Sequence, residues 1–181
     1  MLPLGTPAPE FRLPEVVTGQ TVTLEQFKEK KALLVMFICR HCPYVKHVQS
    51  ELARIGADYA GSPLGIAAIS SNDAAAYPGD APASLREMAL ELGFRFPFCY
   101  DESQEVARAF KAACTPDFFL FDEGRRLVYR GQLDDSRPQS KTPVTGRDLR
   151  SAMEAVLNGR PVSPDQMPSL GCNIKWRNSF E

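Results

Sequence analysis

Two cysteines three positions apart, Cys39 and Cys42, stand in the stretch Phe37-Ile38-Cys39-Arg40-His41-Cys42-Pro43-Tyr44. A pair at this spacing can close a disulfide and reopen it. Both a helix start and a Cys-x-x-Cys motif lower thiol pKa, which supplies the thiolate that attacks. The pattern predicts Cys39 at the N-terminal end of a helix, where unpaired N–H groups and the positive dipole end favour an anion. Cys42, one turn further in, is then placed to attack a mixed disulfide formed at Cys39. Arg40, His41, Lys46 and His47 add charged or chargeable groups. His41, whose type titrates near working pH, is a candidate to accept the proton of Cys42. His47 falls on the polar side of the helix. Pro43 lies in the first turn, where its missing N–H costs nothing.

Other chemistries compete for the same residues. A zinc site would take Cys39 and Cys42 with two ligands from His41, His47, Cys114 and Cys172, but no second Cys-x-x-Cys or His-x-x-x-His pair accompanies them. An inert buried pair fits poorly with polar and basic flanks. The expected centre is therefore a dithiol without metal or organic cofactor. A non-catalytic binding or metal-carrying protein stays open beside it.

The elements that must position the pair are legible from periodicity. Leu33 to Ile38 is an apolar run with Val and Ile, suited to a strand covered on both faces. Val45, Val48, Leu52, Ile55 and Tyr59 form one helical stripe. A strand is predicted over 64–69, then helices over 84–92 and 102–113, with Gly93 ending the first and Asp101 capping the second. Phe118 to Phe121 and Arg126 to Arg130 flank a turn and predict a hairpin, and a last helix is expected over 147–157. Near the start, Val16-Val17 and Thr21 to Thr23 flank a turn. Alternating strand and helix predict an α/β fold with a mixed central sheet and helices on both faces. The 181 residues fit a single domain, 1–181, with a core over about 4–158 and a Pro-rich tail over 159–181.

Composition excludes whole classes. Charged residues nearly cancel, Lys plus Arg 21 against Asp plus Glu 22, so no electrostatic footprint for nucleic acid or an anionic membrane exists. The longest strongly apolar run, Ala32 to Cys39, is far short of the ~20 residues a membrane helix needs. The N-terminus has no basic segment and carries three prolines in its first nine residues, which points away from a secretory signal and toward the cytoplasm. Oligomeric state is not written in the sequence. Among five cysteines, Cys99 after Phe96-Pro97-Phe98 reads as a buried hydrophobe. Ser70-Ser71-Asn72-Asp73 and Asp134-Asp135-Ser136-Arg137 follow strands and suit either turns or the mouth of a site.

The chain resembles the thioredoxin-like superfamily in its peroxiredoxin-related (AhpC/TSA-like) branch. The resemblance rests on Gly5-Thr6-Pro7-Ala8-Pro9-Glu10-Phe11, on Gly19 to Val22 with Leu24 and Phe27, on the apolar strand that ends in the cysteine motif, and on Cys114-Thr115-Pro116-Asp117-Phe118. It covers about residues 4–158. It implies a thioredoxin fold with an N-terminal extension, and a cis Pro116 lying against Cys39 and Cys42. It also implies that the Thr115 backbone can pair with an incoming polypeptide, so Thr115 and Pro116 are expected to bind substrate. The expected activity is thiol:disulfide oxidoreduction with a protein or small-molecule thiol or disulfide partner. A peroxiredoxin-like thiol peroxidase, an antioxidant role, is the alternative. Against that alternative, the peroxiredoxin pattern Pro-x-x-x-Thr/Ser-x-x-Cys is not met in either register: with Cys42 in the cysteine slot, Cys39 and Val35 fill the others. The buried Asp of thioredoxins, six residues before the first cysteine, is here Leu33. His at the second intervening position resembles the more oxidising members, near about −180 to −120 mV against about −270 mV for thioredoxin. Placing Cys114 two residues before Pro116 brings it near the site, and Cys114 with Cys172 is a possible second thiol pair.

Overall fold

A computed structural model describes residues 1–178. At its centre lies β3 (Ala32–Phe37), six apolar residues that are all buried. β4 (Leu64–Ser70) pairs parallel to it, and β5 (Phe98–Tyr100) pairs parallel to β4. On the other side β7 (Asp117–Phe121) and β8 (Leu127–Gly131) run antiparallel, so the five-stranded order is β5-β4-β3-β7-β8. Alternation along β3 divides the core into two layers. Leu34 and Met36 join Leu52 and Ile55 of α1 (Pro43–Asp58), Leu85 and Met88 of α2 (Pro82–Leu92), and Leu149 and Met153 of α4 (Arg147–Leu157). Leu33, Val35 and Phe37 face the other way, onto α3 (Glu105–Ala109) and Phe110. This is the thioredoxin-like α/β architecture, with helices on both faces of a mixed sheet. None of the described helices is long and apolar enough to cross a membrane.

Several local expectations change. The N-terminal turn closes a hairpin of β1 (Arg12–Pro14) and β2 (Thr21–Thr23). The helix expected over 102–113 shrinks to five residues, because Gln104 and Lys111 adopt left-handed backbone (φ 64° and 50°) on either side. Asp101 still serves that helix: its carboxylate accepts the N–H groups of Val106 at 3.4 Å and Ala107 at 3.0 Å. Three-residue β5 carried no periodic signal. The tail, expected to lie outside the common fold, adds β9 (Cys172–Asn173), antiparallel to β6 (Cys114–Thr115).

Candidate active site

The two cysteines occupy the loop between β3 and α1. The helix starts one turn later than its expected position: Pro43 is its first residue and Cys42, not Cys39, is the N-cap. Pro43 favours this start, since its fixed φ suits the first helical position and its absent N–H is not missed there. Cys42 therefore sits at the positive end of a 16-residue helix. Cys39 lies just past the end of β3. Neither thiol reaches the surface: Cys39 is 1% exposed and Cys42 0%.

The peptide between Thr115 and Pro116 is cis, as the resemblance implied, and it presents Thr115 to both thiols. The Thr115 hydroxyl lies 3.4 Å from Cys39 Sγ, and Cys42 Sγ contacts the Thr115 carbonyl at 3.3 Å. As a thiol, Cys42 donates to that carbonyl. As a thiolate it is stabilised by other groups: the Cys39 thiol first, then the Cys172 thiol, the Thr115 hydroxyl and the Val45 N–H. These donors outweigh burial and hold Cys42 down to about 4 from the ordinary 9.0. Cys39 moves the opposite way. Its hydrogen bond to Cys42, burial and the Asp80 carboxylate all push it above the usual thiol range. The two thiols are thus pushed apart, Cys42 toward the thiolate and Cys39 toward the thiol.

Asp80 was not anticipated. It sits in a short 3₁₀ turn after Pro78-Gly79, a stretch that reads only as turn chemistry, and it is fully buried. Its carboxylate accepts the N–H groups of Arg40 (2.8 Å) and His41 (3.3 Å) and the Asn72 side-chain amide (2.9 Å), and it pairs directly with His41 Nδ1. The His41 ring, about one-third exposed, also stacks on Tyr77 at 5.5 Å between centroids. His41 therefore addresses Asp80, and the donor atoms of Cys39, His41 and Asp80 lie within 4.8 Å of one another. The same carboxylate is engaged by hydrogen bonds from Arg40, His41 and Asn72. A carboxylate does approach the dithiol, but from a different element than the position of Leu33 in β3.

Arg40 reaches α2, donating to Ser84 and pairing with Glu87 at 2.8 Å and Glu91 at 3.5 Å. His47 packs against Ser136 at 3.2 Å, and Asp134 and Ser136 line a groove that also touches Pro116. Of the two polar segments weighed as a site mouth, Asn72 thus supports Asp80 and Ser136 borders the groove.

The pairing of β6 with β9 bears on the other two cysteines. Thr115 stands opposite Cys172, and Cys114 opposite Asn173. Facing residues of an antiparallel pair share a side, and successive residues alternate. Cys172 therefore lies on the dithiol side with Thr115, while Cys114 lies on the other side, its thiol directed at the Pro116 carbonyl at 3.5 Å. The expected Cys114–Cys172 pair is brought onto one ribbon but not face to face. Burial pushes Cys114 and Cys99 up to about 12, as suits inert thiols. The Thr115 backbone, expected to receive a polypeptide, already carries β9.

A family model described as redoxin matches residues 3–149. The chain is similar to the crystal structure of an uncharacterized conserved protein from Geobacillus kaustophilus, with 54% identity and a TM-score of 0.97, covering 99% of this chain and 95% of that one. A hypothetical protein from Sinorhizobium meliloti 1021 is similar at 49% identity and a TM-score of 0.96, over 98% and 96% of the two chains. More distantly, the thioredoxin domain of a thiol-disulfide oxidoreductase from Bacteroides vulgatus shares the fold at 18% identity and a TM-score of 0.60, over 72% and 89%. No curated protein matches.

Proposed function

This chain belongs to the redoxin family, and from that premise we propose that it is a thiol:disulfide oxidoreductase whose redox centre is Cys39 and Cys42, with Cys42 as the attacking thiolate. The observation that carries the reading is the position of Cys42 at the α1 N-cap, with the Cys39 thiol, the Thr115 hydroxyl and the Val45 N–H all stabilising its charge. Cys42 attacks a disulfide of the partner, forming a mixed disulfide and releasing one partner thiolate. Cys39, relieved of its proton, then attacks Cys42 Sγ, closing the Cys39–Cys42 disulfide and releasing the second thiolate. Asp80 and His41 are positioning residues: they hold the proton on Cys39 until Cys42 has reacted, and His41 faces solvent as its route out. This reverses the division of labour expected from sequence, because the helix begins at Pro43 rather than at the first cysteine.

Reduction of an aromatic disulfide such as dithiobis(nitrobenzoate), followed by mapping of the thiol modified, tests the reading. The expected result is an adduct that forms first on Cys42, in the wild type and in Cys39→Ser alike, and no adduct in Cys42→Ser. Adducts forming first on Cys39 would refute the assignment.

One observation favours thiol peroxidation as a second reading. The hydroxyl that the cysteine motif lacks is delivered from β6, by Thr115. Peroxide consumption driven by a dithiol, and lost in both Cys42→Ser and Thr115→Val, would support it; consumption no faster than that of a free thiol would end it.

A further inference from the structure

The tail is held over the site by more than its two-residue ribbon. Ile174 is 1% exposed, buried in the layer of Phe37 and Phe110. Asn72 accepts the Lys175 N–H at 2.8 Å, Asp73 N–H and the Gln104 amide donate to the Lys175 carbonyl, and Gln104 accepts the Arg177 N–H at 2.9 Å. Arg108 stacks on Trp176. On the other side of the ribbon, Gly171 passes so close to Thr115 that a Cβ there would overlap the Thr115 carbonyl. These anchors bracket Cys172 and fix it opposite Thr115, the residue that touches both Cys39 and Cys42.

We propose that Cys172 is a third redox-active thiol of this centre and takes Cys42 into a Cys42–Cys172 disulfide. The inference rests on Cys42 being the reactive thiolate and goes beyond it, since the dithiol needs no third member. Its ground is geometric: Cys172 shares the thiol-bearing side of the β6–β9 ribbon with Thr115, and it packs against the buried cluster that holds Cys39 and Cys42. Cys42 is thus flanked by two thiols, one from its own loop and one from the tail. Two balanced routes lead to the product. Once an external disulfide has placed a mixed disulfide on Cys42, the Cys172 thiol loses its proton to the departing thiolate and attacks Cys42 Sγ, releasing the second partner thiol. Alternatively, Cys172 attacks Cys42 of a Cys39–Cys42 disulfide. One S–S bond forms as the other breaks, and the proton of Cys172 passes to Cys39. Either route covalently closes the tail over the edge where a polypeptide would pair, which favours partners that are small disulfides over extended chains.

Disulfide mapping of the full chain tests this. Trypsin separates the thiols, placing Cys39 in 32–40, Cys42 in 41–46, Cys114 in 112–125 and Cys172 in 151–175, since Arg160 precedes Pro161. The reduced protein is treated with glutathione disulfide, the remaining thiols are alkylated, and linked peptides are read by mass spectrometry. A 41–46 to 151–175 link is expected in the wild type, becoming the sole internal link in Cys39→Ser and lost in Gly171→Ala. A 32–40 to 41–46 link alone, with Cys39→Ser giving only a glutathione adduct on 41–46, overturns the role of Cys172 and leaves the dithiol standing. A 112–125 to 151–175 link also overturns it. If 41–46 joins neither peptide nor glutathione, Cys42 is not reactive and both readings fall.

Discussion

Replacing Asp80 by Asn isolates the charge that keeps the proton on Cys39. The substitution retains a carbonyl oxygen for the Arg40 and His41 N–H groups and removes one negative charge from a fully buried position. At 4.8 Å, the outer limit of the Cys39–Asp80 donor separation, two unit charges interact by about 3.5 kcal/mol at an effective dielectric near 20. That corresponds to about 2.5 pH units. The Arg40, His41 and Asn72 donors that already engage the carboxylate offset part of it, so a fall of about 1 to 2.5 units is expected. The sign is fixed: Asp80 opposes the Cys39 thiolate, so its removal lowers the Cys39 pKa. The measurement is best made in Cys42→Ser, where Cys39 no longer donates to a neighbouring thiolate. The rate of iodoacetamide addition to peptide 32–40 is followed against pH, with and without Asp80→Asn. An unchanged or raised midpoint would refute the claim that this carboxylate sets where the shared proton resides.

Cys42, held near 4, should be alkylated at a rate that is flat from about pH 8 down to about pH 5, falling only below that. Linkage gives the reduced protein a matching pH profile. A depressed thiol pKa contributes stability above the unfolded value and loses it as pH falls through the folded one, so the gap in denaturation midpoint between reduced wild type and Cys42→Ser should widen from about pH 5 to about pH 8. Above about pH 9 the raised Cys39 works in the opposite sense, and the gap should stop growing. Asp117→Asn should cost about 3 kcal/mol in urea unfolding, because Arg130, buried and 3.2 Å from that carboxylate, would lose its counter-charge; Arg130 also donates to the Lys111 carbonyl at 2.7 Å, and a cost under about 1 kcal/mol would mean that this contact suffices. Ile174→Ala should cost about 2–4 kcal/mol and raise the alkylation rate of Cys42, since it loosens the strand that covers the thiols; a Cys42 rate unchanged in that variant would show that β9 does not limit access.

The sheet and the large helices were legible because each rests on a strong repeating pattern. The stripe from Val45 to Tyr59, the run from Leu33 to Ile38 and the Phe118 to Phe121 hairpin survive with shifts of a residue or two. The dithiol was legible because cysteine chemistry is written in residue type and spacing. What escaped was long-range. The helix start depended on Pro43, whose preference for the first helical position outweighed the expectation of a thiol one turn earlier. Asp80 belongs to a Pro-Gly-Asp turn whose local pattern is shared by many surface loops, and only the chain's return beneath His41 makes its carboxylate part of the site. The tail was set apart for want of periodicity, yet a single buried Ile174 and two polar side chains, Asn72 and Gln104, bind it to the centre. Short strands such as β5 and β9 take their conformation from a neighbour's edge rather than from their own propensity.

The two residues between the cysteines both carry charge or can acquire it, yet each is already committed. Arg40 is spread over Glu87 and Glu91, and His41 is locked onto Asp80. Neither leaves an unbalanced positive field around the sulfurs, and the groups that do favour the Cys42 thiolate are short-range donors in a water-excluded pocket. Dissolved electrolyte weakens interactions between exposed charges and scarcely touches buried contacts. The intrinsic reactivity of Cys42 toward an uncharged reagent should therefore be nearly independent of ionic strength. Any salt dependence seen with a charged disulfide would report the encounter of that partner with the outer surface, and so offers a way to find where partners first land.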